Sequence, residues 1–255
     1  EEIYHHFSRL VWISALVASL VANFISLNIF GLTPVLAMPS DLVILPLHYY
    51  WMLLPLGAFL GIMGYLYEKV TLNANLFYDF LGKICHVPNY FYGIFVAILI
   101  LPIGYFYPQL LGGGNGLITS LSTSHLTFAV VCLYFLIRFV WSTFSYASGL
   151  PGGIFLPILT LGSLLGFGFG LGMHQIGFIS TSVLVNFLVL GMAGYFGAIS
   201  KAPLTAIILV TEMVGDFRQL MTIAVVTLVA YIVMDLLKGC LLYTSPIPRD
   251  YAASR

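Results

Sequence analysis

The segment Gly149-Leu150-Pro151-Gly152-Gly153-Ile154-Phe155-Leu156-Pro157 stands directly before a long apolar run. A helix that begins near Ile154 leaves its first N–H groups without intrahelical partners. Aligned peptide dipoles place about half a positive charge at the same end. Gly152 and Gly153 lack a Cβ, so the chain can turn sharply there and an ion can approach the backbone closely. Pro157 in a first turn costs no hydrogen bond, and its fixed φ favours the helix. Such a helix end can bind an anion without lysine or arginine. Transfer of an ion into a low-dielectric medium costs, in the idealised case, about 20 kcal/mol. Several donors and residual water must therefore share the compensation. Taken alone, a Gly-Gly-apolar-Pro turn is equally well a plain structural helix start.

A second chemistry starts from Ser148, next to Gly149, and from His174 farther along. Nucleophilic catalysis needs serine and base within hydrogen-bond reach. The two lie 26 positions apart, at opposite ends of the expected helix, which is about 30 to 40 Å. A membrane-embedded serine hydrolase is thus a distant alternative, and the chain is expected not to be an enzyme. Metal chemistry has no basis either. Cys85, Cys132 and Cys240 are far apart and form no C-x-x-C pair, His125 and His174 lie near segment ends, and no resident cofactor is expected.

The elements that must position the Gly-Gly turn are membrane helices. Of 255 residues, 60% are hydrophobic and only 7% charged, against about 25% charged in soluble domains. Mean hydropathy is +1.04. From Phe139 to Ser200 there is no Asp, Glu, Lys or Arg, a run longer than the roughly 20 residues that cross a bilayer. Net charge is zero with basic residues scattered, which excludes nucleic acid as a partner. The lipid bilayer is the expected partner, and a multi-pass protein of the cell membrane the expected location.

Apolar periodicity places helices near Val11 to Phe30, Tyr49 to Phe77, Tyr90 to Phe106, Leu126 to Phe144, Ile154 to Met173, Val183 to Ala198, Pro203 to Met213 and Leu220 to Leu237. The expected fold is all-α and polytopic, with tilted, unequal and interrupted helices. Breaks at Leu111 to Gly116, Ser148 to Gly153 and Ser200 to Pro203 put irregular backbone between apolar runs. At membrane depth such backbone is tolerated only where protein or a water-filled cavity covers it, and half-helix ends facing a substrate are a transporter feature. Recurring glycines, as at 57, 61 and 64 or at 162, 166, 168, 170 and 172, read as close helix packing. Residues 1–243 form the membrane domain; 244–255 are polar, carry two prolines, and are expected to be disordered or foreign to it. The first residue is Glu, and the chain is expected to be a fragment.

Ser148 to Pro157 resembles the signature that opens a chloride-coordinating helix in the CLC family of chloride channels and proton-coupled chloride antiporters. Gly191-Met192-Ala193-Gly194, continuing to Lys201-Ala202-Pro203-Leu204-Thr205-Ala206 and Glu212-Met213, is similar to the family's later helices, and Gly112-Gly113-Gly114-Asn115-Gly116 to the glycine loop that precedes them. The resemblance covers nearly the whole chain to about Tyr243. It implies that the backbone N–H groups of Ile154 and Phe155 bind chloride, with Gly149, Gly152 and Gly153 shaping the turn and the Tyr243 hydroxyl facing the same ion. Glu2, in Glu1-Glu2-Ile3-Tyr4-His5-His6-Phe7, resembles the glutamate that passes protons to the internal side in antiporters. Partial removal of a carboxyl from water raises its pKa, as proton transfer near neutrality requires. The resemblance further implies the second of two inverted repeats and a homodimer contact through the helices near Val11 to Phe30 and Pro203 to Leu237.

The expected function is therefore transmembrane proton-coupled chloride antiport, with chloride and protons as the transported species. A passive chloride channel is the alternative within the family, and a non-transporting scaffold the distant one. Arg138, Lys201, Glu212 and Asp235 lie in or beside apolar segments, where an unpaired charge is costly, and structural pairing is expected for all four.

Overall fold

The computed structural model describes residues 9–31, 34–36, 42–85, 92–123, 126–148 and 152–239. Among the described residues there are nine α-helices and no strand. In chain order they are α1 (Arg9–Phe30), α2 (Leu53–Cys85), α3 (Tyr92–Phe106), α4 (Asn115–Thr123), α5 (Phe128–Ala147), α6 (Phe155–Gln175), α7 (Leu184–Ser200), α8 (Pro203–Val214) and α9 (Leu220–Leu236). Among the described residues, six helical stretches are long and apolar enough to cross a membrane. The protein is an all-α, multi-pass membrane protein.

The helices are unequal for reasons visible in their residues. α2 runs 33 residues, or about 50 Å, and so exceeds a hydrocarbon core of about 30 Å. α8 has 12 residues, about 18 Å, bounded by Pro203 at its start and Gly215 at φ 76° after its end. Eight of the nine helices match expected segments to within a few residues, apart from the extra turns at the end of α2. The short α4 does not: its Ser/Thr-rich sequence NGLITSLST has little apolar signal, yet Leu117, Ile118 and Leu121 are buried along one side.

α7 is the central helix, buried at every position except Val185. It packs on α6 backbone to backbone. A Cβ on Gly162 would lie 2.6 Å from the carbonyl oxygen of Gly191, and one on Gly166 would collide with the Phe187 carbonyl. The same device joins α2 to α9, where a Cβ on Gly61 would sit 2.6 Å from the Ala230 carbonyl. α5 lies antiparallel against α6, with Phe128 beside Gly172 and Val131 beside Gly168. Tyr67 of α2 and Ser142 of α5 share a half-buried hydroxyl–hydroxyl hydrogen bond of 2.7 Å.

Residues 42–46 are tacked to this bundle through their own backbone. Asn186 at the start of α7 donates to the Val43 carbonyl at 2.6 Å, and Gln219 before α9 donates to the same oxygen at 3.1 Å. α1 differs from all of these: every residue of Val11–Phe30 is exposed.

Candidate functional site

α6 begins as the sequence requires of an anion-receiving end. Ile154 is its N-cap at φ −95° and ψ −10°, and the first intrahelical bond runs from Ile158 N–H to Ile154 O at 3.1 Å. The N–H groups of Ile154, Phe155 and Leu156 therefore have no acceptor within the helix, and Pro157 has no N–H. An ordinary N-cap would satisfy one of these donors with a Ser, Thr, Asp or Asn oxygen. Isoleucine has none to offer, so the donors stay available to an external group.

Space is available beside the two glycines that precede those donors. Gly152 and Gly153 are exposed, and a Cβ built on either would meet no atom within 4 Å. Ile154 is itself buried, 4% exposed, and the Phe155 ring packs edge-on against Phe196 of α7 with centroids 5.1 Å apart. The Ile154 and Phe155 side chains thus face protein and anchor the turn, while the two glycines before them stand clear of neighbouring atoms among the described residues. The segment joins the far ends of α5 and α6, which their antiparallel packing brings together.

A second structure adjoins this end. The glycine loop before α4 lies against the first turn of α6, with Leu156 so close to Gly113 that a Cβ there would approach Leu156 Cδ1 to 2.8 Å. Gly114 adopts φ +95°, and a Cβ on it would collide with Arg138 Nη2 and Thr160 Oγ1. Arg138 Nη1 donates to the Gly112 carbonyl at 2.8 Å. Thr160 Oγ1 lies 2.8 Å from the Gly113 carbonyl and 2.9 Å from that of Leu156, so its one proton is shared between loop and helix. Sequence reasoning missed this arrangement. The signals were an arginine alone in an apolar helix and a threonine one turn inside α6.

The four isolated charges divide. Lys201 and Asp235 pair with each other at 3.1 Å. Arg138 is 5% exposed and is paired through a carbonyl dipole rather than a carboxylate. Glu212 departs from the expected pairing: it is exposed and has no ion pair or hydrogen bond among the described residues, because it lies on the outward side of α8. Glu2, Tyr243 and Gly149, the other expected site residues, lie outside the described residues, as does the segment 244–255.

Ser148 and His174 are not brought together. Ser148 Oγ donates to the Ser145 carbonyl at 2.7 Å at the end of α5, next to the α6 N-terminus. His174 Nδ1 bonds with the Ile179 carbonyl at 2.7 Å at the opposite end of the 21-residue α6, about 30 Å away. Among the described residues no group of three His, Cys, Asp or Glu side chains could hold a metal ion.

Comparison with known proteins bears on this site. The family model described as voltage gated chloride channel matches residues 1–235. The H(+)/Cl(-) exchange transporter ClcA of Vibrio campbellii (strain ATCC BAA-1116) is 29% identical over 236 residues, which cover 92% of this chain and 50% of that protein. Its namesake in Vibrio cholerae serotype O1 (strain ATCC 39541 / Classical Ogawa 395 / O395) is 31% identical over 251 residues, covering 94% and 50%. The chain thus spans about half the length of these relatives. Among solved structures, a slow cyanobacterial Cl-/H+ antiporter superposes with a TM-score of 0.84 at 26% identity, covering 97% of this chain and 57% of that one. A CLC-type fluoride/proton antiporter shares the fold, with a TM-score of 0.70 at 22% identity over 92% of this chain and 56% of that one. The Gly-Gly turn before α6, the glycine loop beside it and a family match over nearly the whole sequence lead to one assignment: the chain belongs to the voltage gated chloride channel family, the CLC family.

Proposed function

We propose that this protein carries out proton-coupled chloride antiport across a cell membrane, with chloride held by the backbone N–H groups of Ile154 and Phe155. The observation that carries the reading is the start of α6: an apolar N-cap, free donors, and two glycines that leave the approach open. The relatives named as H(+)/Cl(-) exchangers support the same substrate pair. One helix end does not offset the desolvation of an ion by itself. The Tyr243 hydroxyl is assigned to the same ion, and Glu2 is assigned the transfer of protons.

Homodimerisation belongs to the same reading. The exposed apolar side chains of α1, together with Leu204 and Ile208 of α8 and Ile232 and Leu236 of α9, would meet a second copy across the membrane plane. Cysteines introduced on these faces should cross-link between subunits.

The transport test uses the full-length protein that contains this chain, in liposomes with an imposed chloride gradient. Chloride efflux should be accompanied by proton uptake, and Glu2→Gln should abolish the proton movement while chloride continues to flow. Chloride flux without proton movement in the unaltered protein would assign a passive channel instead. Absence of chloride flux would remove the transport reading.

A further inference from the structure

The glycine loop before α4 touches the anion-receiving turn without belonging to it. Its carbonyls are held from two helices at once: Gly112 by Arg138 of α5, and Gly113 by Thr160 of α6. Both side chains are buried, Thr160 fully and Arg138 at 5% exposure. Thr160 also reaches the carbonyl of Leu156, one residue beyond the proposed chloride donors, so loop and first turn share a single proton. Gly113 then lies flat on Leu156, and no side chain larger than hydrogen fits at Gly114.

We propose that Arg138 and Thr160 are positioning residues for anion binding, clamping the glycine loop as a wedge that fixes the direction of the Ile154 and Phe155 N–H groups. The inference rests on the anion reading of the α6 end. Donors aimed at a fixed point act without reorganisation when the ion arrives, whereas a first turn supported on one side would lose that alignment. Carbonyl pairing is suited to the task. It anchors the guanidinium without cancelling its charge, and Arg138 Nε and Nη2 have no hydrogen-bond partner among the described residues. The arginine therefore adds positive potential beneath the loop where a carboxylate partner would remove it.

The test is chloride titration by calorimetry on the purified full-length protein that contains this chain, with thermal unfolding and gel filtration as controls for folding. Thr160→Val keeps the shape and deletes the hydroxyl. It should raise the chloride Kd at least fivefold, the equivalent of one ordinary hydrogen bond. Thr160→Ser should stay within twofold of the parent, and Arg138→Met should weaken binding as Thr160→Val does. In transport assays the half-saturating chloride concentration should rise while the rate at saturating chloride stays within twofold. Folded Thr160→Val and Arg138→Met proteins with unchanged Kd would overturn the proposal. So would failure of both Thr160→Val and Thr160→Ala to fold, which would assign the hydroxyl to folding alone. A backbone ester at position 155, which removes the Phe155 N–H, separates this inference from the reading beneath it. If the ester leaves chloride binding unchanged, the anion reading itself fails; if the ester weakens binding and the Thr160 and Arg138 variants do not, only the clamp fails.

Discussion

Lys201 Nζ donates to Asp235 Oδ1 at 3.1 Å, tying the turn between α7 and α8 to the last turn of α9. The lysine holds this position at φ 53°, a left-handed conformation that costs a residue with a Cβ about 1 kcal/mol. Asp235 is 61% exposed, so screening limits the pair to at most about 1 kcal/mol. Lys201→Gly removes the pair and the strain together, and should leave the thermal midpoint of the detergent-solubilised protein nearly unchanged. Asp235→Asn removes only the pair and should be the less stable of the two. The reverse order would mean that relief of the left-handed strain does not offset the backbone freedom that glycine adds to the unfolded chain.

The helix seams give a sharper contrast. Gly162→Ala places a methyl 2.6 Å from the Gly191 carbonyl, an overpacking against backbone that should cost about 1–3 kcal/mol. Gly172→Ala, whose nearest contact is 3.8 Å from the Phe128 ring, should be tolerated. Thermal unfolding of the two proteins side by side checks the difference. Equal midpoints would show that α6 and α7 can separate without cost.

At the anion site, the Phe155 backbone ester should weaken chloride binding about tenfold or more, the loss of one hydrogen bond to a charged group. Phe155→Ala keeps the N–H and loses the packing on Phe196. It should affect stability more than chloride affinity, as calorimetry and unfolding on the same preparations would reveal.

Asp216 makes a pH-dependent contribution outside the membrane spans. The side-chain hydrogen bond from Arg218 is the main cause that lowers its pKa, with the Arg218 backbone N–H adding to it and burial opposing. A depressed folded pKa means that the stabilisation is present above the unfolded value, about 3.9, and is lost as pH falls through the folded value. Asp216→Asn should therefore lower stability slightly at neutral pH, and its deficit should shrink in acid. A deficit that is constant with pH would assign the effect to geometry alone.

Much of this was legible in the sequence because apolar runs and helix breakers are local signals. The Gly152-Gly153 turn and Pro157 marked the start of α6, and Pro203 marked that of α8. α4 was missed because a nine-residue helix of serine, threonine and a few apolar residues earns its place by burying Leu117, Ile118 and Leu121 against neighbours remote in sequence. The partners of Arg138 and Thr160 were hidden for a related reason. Both reach backbone carbonyls, at sequence separations of 26 and 47, and a carbonyl leaves no trace in residue type.

The contact of Gly162 and Gly166 with Gly191 leaves no compliant layer of side chains between α6 and α7. Two helices joined in this way cannot slide past one another by the small shear that side-chain interfaces permit. The helix bearing the anion donors is thus mounted on the most deeply enclosed helix of the molecule, as a stator rather than a rotor. Whatever opens and closes the path must move relative to it.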